Sequence, residues 1–71
     1  MEEITIKGEF IKLDALMKFA SLVASGGEAK MVIGDGLVSV NGDVCTMRGK
    51  KIYPGDTVEF AGTVLNVAAA K

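Results

Sequence analysis

Histidine is absent from the 71 residues of this chain, which narrows the chemistry available to it. Histidine is the commonest general base and the commonest metal ligand, so acid–base catalysis and most metal sites lose their usual residue. The single cysteine, Cys45, can complete neither a Cys–His pair nor a thiolate zinc site. We expect it to be a strand residue packed beside valines. The sequence therefore predicts a protein that is not an enzyme and needs no metal and no cofactor.

Long apolar runs and phosphate-binding motifs are missing as well. No run approaches the roughly 18 apolar residues of a membrane-spanning helix, so no membrane partner is expected. Gly34-Asp35-Gly36 lacks the third glycine of a dinucleotide fingerprint, and Gly49-Lys50-Lys51 lacks the upstream glycine and hydroxyl residue of a P-loop. A lone cysteine and the lack of a signal peptide predict a cytoplasmic protein.

So short a chain forms a marginal core, because it buries only about 60% of the surface that its unfolded form exposes. Apolar residues make up 49% of the sequence, and the mean hydropathy is +0.37. Either nearly all of these residues are needed for the core, or one apolar patch faces a partner. We expect a single domain over residues 1–71, with its core at about 10–67.

The stretch from Ser25 to Gly42, SGGEAKMVIGDGLVSVNG, predicts a helix that leads into a hairpin. Ser25 and Glu28 have the spacing of a capping box, in which the Glu28 carboxylate reaches back to the Ser25 backbone N–H. Gly34-Asp35-Gly36 ends the helix. Residues 38–40 alternate as a strand does, and Asn41-Gly42 is a strong hairpin signal.

The other elements follow from periodicity and turn residues. They are an edge strand at 3–7, a helix at 13–24, strands at 43–46, 57–60 and 64–67, a loop at 46–51, a turn at 53–56, and a frayed end from Ala68 to Lys71. The apolar stripe of the first helix consists of Leu13, Leu16, Met17, Ala20, Val23 and Ala24.

The chain has a net charge of −1 and a sequence pI of about 5.2, so it would not bind nucleic acid through its net charge. The distribution of charge is more informative. Arg48, Lys50 and Lys51 lie in an interval, Val44 to Gly55, that contains no acid. A solvated loop is the simpler interpretation. If Lys12, Lys18 and Lys30 converge with the loop, the bases form a patch that can contact phosphates.

Four stretches carry a family resemblance: IKLDALMK (11–18), SGGEAKMVI (25–33), GLVSVNGDV (36–44) and RGKKIYPGDTVEF (48–60). With them the chain resembles the RNA-binding domain named after ribosomal protein S-four, the alpha-L fold, and in particular its short, stand-alone bacterial members, the YbcJ-like proteins. The resemblance implies an α+β fold in which two packed helices are followed by a small antiparallel sheet. It also implies that RNA is held on the helix pair and the adjoining loop.

The resemblance extends to individual bases. Lys12 stands where many relatives place an arginine before Leu-Asp, Lys30 follows Ala29 where relatives often carry a base, and residues 48–51 match the family's basic loop. Gly26, Cys45, Met47 and the acidic overall charge depart from the family pattern, so weaker binding or a narrower target is expected. The candidate RNA-binding residues are Lys12, Lys18, Lys30, Arg48, Lys50 and Lys51.

We therefore interpret the chain as a small, non-catalytic RNA-binding protein of the bacterial cytoplasm that recognises structured RNA by shape, phosphates and unstacked bases. The sequence does not distinguish ribosomal RNA from transfer RNA as the target. We expect the protein to be a monomer. Tyr53 either stacks on a base or packs beside Pro54.

One alternative function is that of a protein-interaction module that uses an apolar patch around Met31. Another is a ubiquitin-like sulfur carrier, suggested by PGDTVEF, but the chain ends in Ala-Ala-Ala-Lys rather than Gly-Gly.

Overall fold

The computed structural model describes residues 2–70, which form two helices and two sheets. The elements in chain order are β1 (Glu2–Ile6), β2 (Ile11–Lys12), α1 (Leu13–Phe19), α2 (Gly26–Gly34), β3 (Val38–Val40), β4 (Asp43–Val44), β5 (Lys51–Ile52), β6 (Thr57–Phe60) and β7 (Thr63–Ala69). The larger sheet has the order β1-β7-β6-β3-β4, and β2 pairs with β5 in a separate two-stranded ladder. The α+β prediction is confirmed.

The edge strand predicted at 3–7 is present as β1. Because β1 belongs to the larger sheet and lies parallel to β7, the implied order of two helices followed by an antiparallel sheet is only partly right. This pairing also corrects the predicted fraying at the end of the chain. Ala68 and Ala69 are paired with Thr5 and Ile6, and the Ala70 N–H donates to the Ile6 carbonyl at 2.8 Å. Lys71 lies outside the described residues. The backbone at the end of the chain is held because a partner strand from the other end satisfies its hydrogen bonds.

The core lies between the helices and one face of the larger sheet. Val40, Val58 and Leu65 stand side by side in register on neighbouring strands, and each is buried. Leu16 and Ile33, from α1 and α2, are fully buried in the same cluster. Strand side chains alternate between faces, so each of these strands contributes every second residue to this core. Neither helix within residues 2–70 has the length and apolar character needed to cross a bilayer.

The first helix is shorter than predicted and ends at Phe19 rather than at residue 24. Ser21 takes a left-handed φ of 60°. Its N–H donates to the Lys18 carbonyl, and the Leu22 N–H donates to the Met17 carbonyl, at 3.1 and 2.9 Å. This is the hydrogen-bond pattern of a Schellman motif, which normally has glycine at the left-handed position. Serine at that position gave no helix-ending signal. As a result Val23 is buried from a loop, and Ala24 is exposed.

One of the two hydrogen bonds predicted for the capping box of α2 is present, and the other has a different N–H donor. The Ser25 Oγ accepts the Glu28 N–H at 3.2 Å, as expected of an N-cap. The Glu28 carboxylate accepts the N–H of Ala24 at 2.8 Å, rather than that of Ser25. At the other end Gly36 has a φ of +76°, which confirms the predicted glycine stop.

The hairpin at Asn41-Gly42 is confirmed, with φ values of 52° and 87° that fit a type I′ turn. The returning strand is shorter than the predicted 43–46 and ends at Val44. Cys45 therefore lies just beyond the strand, half-buried, with its N–H donating to the Val38 carbonyl at 2.9 Å. The predicted loop at 46–51 is shorter as well, since Lys51 belongs to β5.

Ile33→Ala should lower the free energy of unfolding by about 2–5 kcal/mol, because it leaves a cavity where a fully buried side chain packed. Thermal or urea denaturation measures the effect. Met31→Ala is the matched control on the same helix, since Met31 is 62% exposed and its truncation should change stability by about 0.5 kcal/mol or less. Equal melting of the Ile33 variant and the parent would show that this face of α2 is not in the core.

Gly42→Val should destabilise the protein by roughly 1–3 kcal/mol through backbone strain, since a β-branched residue is disfavoured at a φ of 87°. No neighbouring atom lies within 4 Å of the position that a Cβ would occupy, so crowding does not contribute. Gly42→Asn is the control, because asparagine tolerates the left-handed region. Denaturation midpoints that fall equally for both variants would contradict the backbone explanation.

Candidate nucleic-acid interface

The basic loop is attached to the first turn of α1 by its backbone. Leu13 and Asp14, the first two residues of the helix, donate their N–H groups to the carbonyls of Lys50 and Arg48, at 2.9 and 3.1 Å. Lys12, the N-cap residue, provides no side-chain cap. The first N–H groups of a helix have no partner within the helix, so the loop satisfies them instead.

The loop is shaped by a tight turn at its tip. The Lys50 N–H donates to the Met47 carbonyl at 3.1 Å, which closes a turn with Arg48 and Gly49 at its centre. Before the turn, the Cys45 Sγ contacts the Met47 carbonyl at 3.6 Å. These local bonds orient the backbone toward α1, while the side chains of the loop bases are exposed.

The ladder of β2 and β5 adds a fourth base. Ile11 stands opposite Ile52, and Lys12 stands opposite Lys51. Ile52 is fully buried and Ile11 is half-buried, whereas both lysines are exposed. Directly opposed residues in an antiparallel pair share a face, so the two ammonium groups are held on the same outer side. Like charges in this position reduce stability, and a bound anion would relieve their repulsion.

Four of the six predicted site residues are therefore brought together by backbone contacts. We call this group the basic surface: Lys12, Arg48, Lys50 and Lys51. Lys18 lies in the last turn of α1 and Lys30 lies in the middle of α2, both exposed. The strand pairing and hydrogen bonds that form the basic surface do not involve these two residues. The RNA-binding role of all six stays a prediction.

An aromatic pair next to the basic surface was missed by the sequence reasoning. The ring centroids of Phe10 and Tyr53 are 5.9 Å apart, with an angle of 49° between the ring planes. The Lys51 Nζ lies over the Phe10 ring, 4.9 Å from its centroid, which is within cation–π range. Phe10 is more than forty positions from Tyr53 in the sequence, and only the pairing of β2 with β5 makes them neighbours.

The Tyr53 backbone is fixed by a small polar network. The Asp56 carboxylate accepts the Tyr53 N–H at 2.8 Å through Oδ2 and the Asn41 side-chain amide at 3.1 Å through Oδ1. The Asn41 Oδ1 in turn accepts the Thr57 N–H at 2.9 Å. The predicted turn at residues 53–56 is present, with Gly55 at a φ of 99°. Asn41 and Asp56 thus join the β3–β4 hairpin to the turn that presents Tyr53.

The exposed side chains determine what this site can contact. The N–H groups of Leu13 and Asp14 are bonded to carbonyls and are not free to contact an anion, whereas the basic side chains are exposed. The described residues contain no group of three or more acidic, cysteine or histidine side chains that is arranged to hold a metal ion. Exposed bases beside a half-exposed aromatic ring match the composition of nucleic-acid-binding surfaces.

The chain thus forms a small α+β module with four exposed bases gathered at the start of α1. A family model described as the S4 domain matches residues 4–68. The chain belongs to the S4 domain family, and the resemblance found in the sequence is confirmed.

Individual relatives agree with this assignment. The chain is 41% identical over 59 residues to "Probable ribosome maturation protein RlbA" from Bacillus subtilis, covering 83% of each chain. It is 40% identical over 63 residues to "Putative RNA-binding protein YbcJ" from Escherichia coli, covering 89% of this chain and 90% of that one. The solution structure of Escherichia coli YbcJ, described as having an alpha-L motif involved in RNA binding, superposes with a TM-score of 0.75 and 37% identity, over 97% of this chain and 89% of that chain.

Lys12→Gln should raise the free energy of unfolding by about 0.2–1 kcal/mol at low salt, because it removes the repulsion between Lys12 and Lys51. The gain should shrink at high salt, where exposed charges are screened. Melting temperatures at two salt concentrations measure the effect, with Lys30→Gln on α2 as a control for the loss of one exposed charge. A variant that is less stable than the parent at low salt would show that the two lysines do not repel each other across the ladder.

Proposed function

We propose that this protein is a non-catalytic RNA-binding protein of the bacterial cytoplasm, which binds structured RNA through the basic surface. Residues 1–71 act as one RNA-binding domain in this proposal. The single observation that carries it is the gathering of Lys12, Arg48, Lys50 and Lys51 at the start of α1 by backbone bonds and strand pairing. Membership of the S4 domain family and the names of the relatives support RNA as the ligand.

Local charge is the physical reason that an acidic chain can bind RNA. The chain has 9 acids against 8 bases, but residues 44–55 contain bases alone. Phosphates within a Debye length of about 10 Å respond to that local charge far more than to the distant acids. The nearby Asp14 carboxylate accepts the N–H of Ala15 at 2.8 Å, so it is held against the helix backbone.

The size of the surface limits how RNA is recognised. The major groove of A-form RNA is deep and narrow, and side chains on a short loop cannot read bases there. Contacts to phosphates fix position without carrying sequence information. We infer that the protein distinguishes RNA by the arrangement of its backbone and by exposed bases, and that ribosomal and transfer RNA are both suitable targets.

Replacing Arg48, Lys50 and Lys51 together by alanine should weaken binding to all RNA sequences alike. Each phosphate contact contributes a slope of about −0.7 to the plot of log affinity against log salt on single strands, so the triple variant should be shallower by about 2 units. The backbone carbonyls that cap α1 remain in the variant, so its melting temperature should change little. Affinities for a structured RNA at several salt concentrations, measured beside thermal melts, test both statements.

Two control experiments distinguish the effect of local phosphate contacts on RNA binding from the effect of the overall charge. Lys7→Ala removes one exposed base from another part of the chain and should leave the salt slope unchanged, whereas Lys50→Ala should reduce it. Lys18→Ala with Lys30→Ala tests whether the interface extends along the helices, since two lost contacts would reduce the slope by about 1.4. A folded triple variant with the parent's affinity and slope would refute the proposal.

A protein-interaction module is the alternative function, and the exposure of Met31 favours it. Met31 lies outside the buried side of α2, which carries Ala29 and Ile33, and 62% of its surface is exposed. Binding through such a patch would depend on apolar area and would be insensitive to salt. The same salt series therefore distinguishes the two functions.

A further inference from the structure

We propose that Tyr53, supported by Phe10 and flanked by Lys51, is a stacking site for one unpaired nucleobase of the bound RNA. The inference rests on the proposed function and deepens it, because it identifies the part of the RNA that the protein contacts beyond phosphates. The site is a single-base platform at the border of the basic surface.

The three side chains form a layered contact. Lys51 lies over the Phe10 ring, 4.9 Å from its centroid, and the Tyr53 ring lies beside Phe10 at 5.9 Å. Phe10 is half-buried, while Tyr53 is 47% exposed. Lys51 already covers part of Phe10, so Tyr53 is the ring that is available to a base. Every base has a π-face, and stacking on an aromatic side chain therefore does not require a particular sequence.

Tyr53 is held in place before any ligand arrives. Its N–H is bonded to the Asp56 carboxylate, and its carbonyl accepts the Asp56 N–H at 3.0 Å. Asp56 is itself bonded to Asn41 from the neighbouring hairpin. An aromatic ring fixed by its backbone and by a second ring loses little conformational entropy on binding, which favours its use as a contact.

The position of Tyr53 relative to the basic surface indicates which ligand the site would bind. Ile52 is fully buried, and Lys51 and Tyr53 flank it on either side in the chain. Alternation along an extended chain turns both flanking side chains to the outer side. Lys12, paired with Lys51, lies next to them. A base stacked on Tyr53 would thus have its own phosphates close to two ammonium groups. An unpaired nucleotide satisfies both contacts, whereas a base within a duplex has its faces already stacked.

The first test is nuclear magnetic resonance of the Tyr53 ring, whose signals need no selective labelling because the chain has one tyrosine and no tryptophan. The parent is titrated with a short single-stranded oligoadenylate and with an abasic strand of equal length and charge. A base stacked on the ring shifts the Tyr53 ring protons upfield through its ring current. We expect this shift with the oligoadenylate and not with the abasic strand.

Affinity measurements on variants provide the second test. Tyr53→Leu should weaken oligoadenylate binding by roughly tenfold, within the range for loss of one stacked base, while Tyr53→Phe should retain it. Neither variant should change binding of the abasic strand or the slope of the salt dependence. Phe19→Leu is the matched control, because Phe19 is an exposed aromatic on α1 and is 62% exposed.

The outcomes separate this inference from the proposed function. If both strands bind equally, with unmoved Tyr53 signals and no effect of Tyr53→Leu, the stacking site is refuted while salt-dependent binding still supports the basic surface. If Phe19→Leu weakens oligoadenylate binding as much as Tyr53→Leu does, stacking at Tyr53 in particular is refuted. If no RNA binds the folded parent at low salt, the proposed function itself fails.

Discussion

The structure depends on a helix whose first turn is capped by another part of the chain. The N-cap residue Lys12 provides no side-chain cap for α1, and the carbonyls of Arg48 and Lys50 accept the N–H groups of Asp14 and Leu13 instead. Leu13 is fully buried, and leaving its N–H unpaired would cost about 1–3 kcal/mol. The loop is therefore bound to the helix for reasons of folding. The basic side chains of the loop, Arg48 and Lys50, take no part in that bonding and are exposed, and the exposed Lys51 follows at the start of β5.

This arrangement explains how an acidic chain can maintain a basic surface. Backbone hydrogen bonds and the contact of the half-buried Ile11 with the fully buried Ile52 hold the β2–β5 ladder together. Lys12 and Lys51 are opposed within it although their charges repel. The repulsion is weak because both side chains reach solvent, and the ladder tolerates it. An anion bound between the two ammonium groups would relieve this repulsion.

Local signals in the sequence predicted local structure well. The Ser25 cap, the glycine stop at Gly36 and the Asn41-Gly42 turn each depend on residues within four positions of one another, and each is present. The failures involve residues without such a signal or with distant partners. Ser21 ends α1 in a conformation usually taken by glycine, and β1 finds β7 at the other end of the chain. In the candidate site the loop bases were evident from the sequence, but Phe10 was not, since it meets Tyr53 only through strand pairing.

The same reasoning indicates which features of this module can vary without loss of the fold. A cap made by backbone carbonyls places no demand on the identity of the side chains at Arg48 and Lys50. Those positions can therefore change charge while the loop stays attached to α1. Tyr53 differs, because its side chain is itself part of a contact, with its ring centroid 5.9 Å from that of Phe10. Charge on this surface can thus change without loss of the α1 cap, whereas a change at Tyr53 removes its ring contact with Phe10. Under the proposed function, the bases would set the strength of phosphate binding and the ring would set where an unpaired base lies.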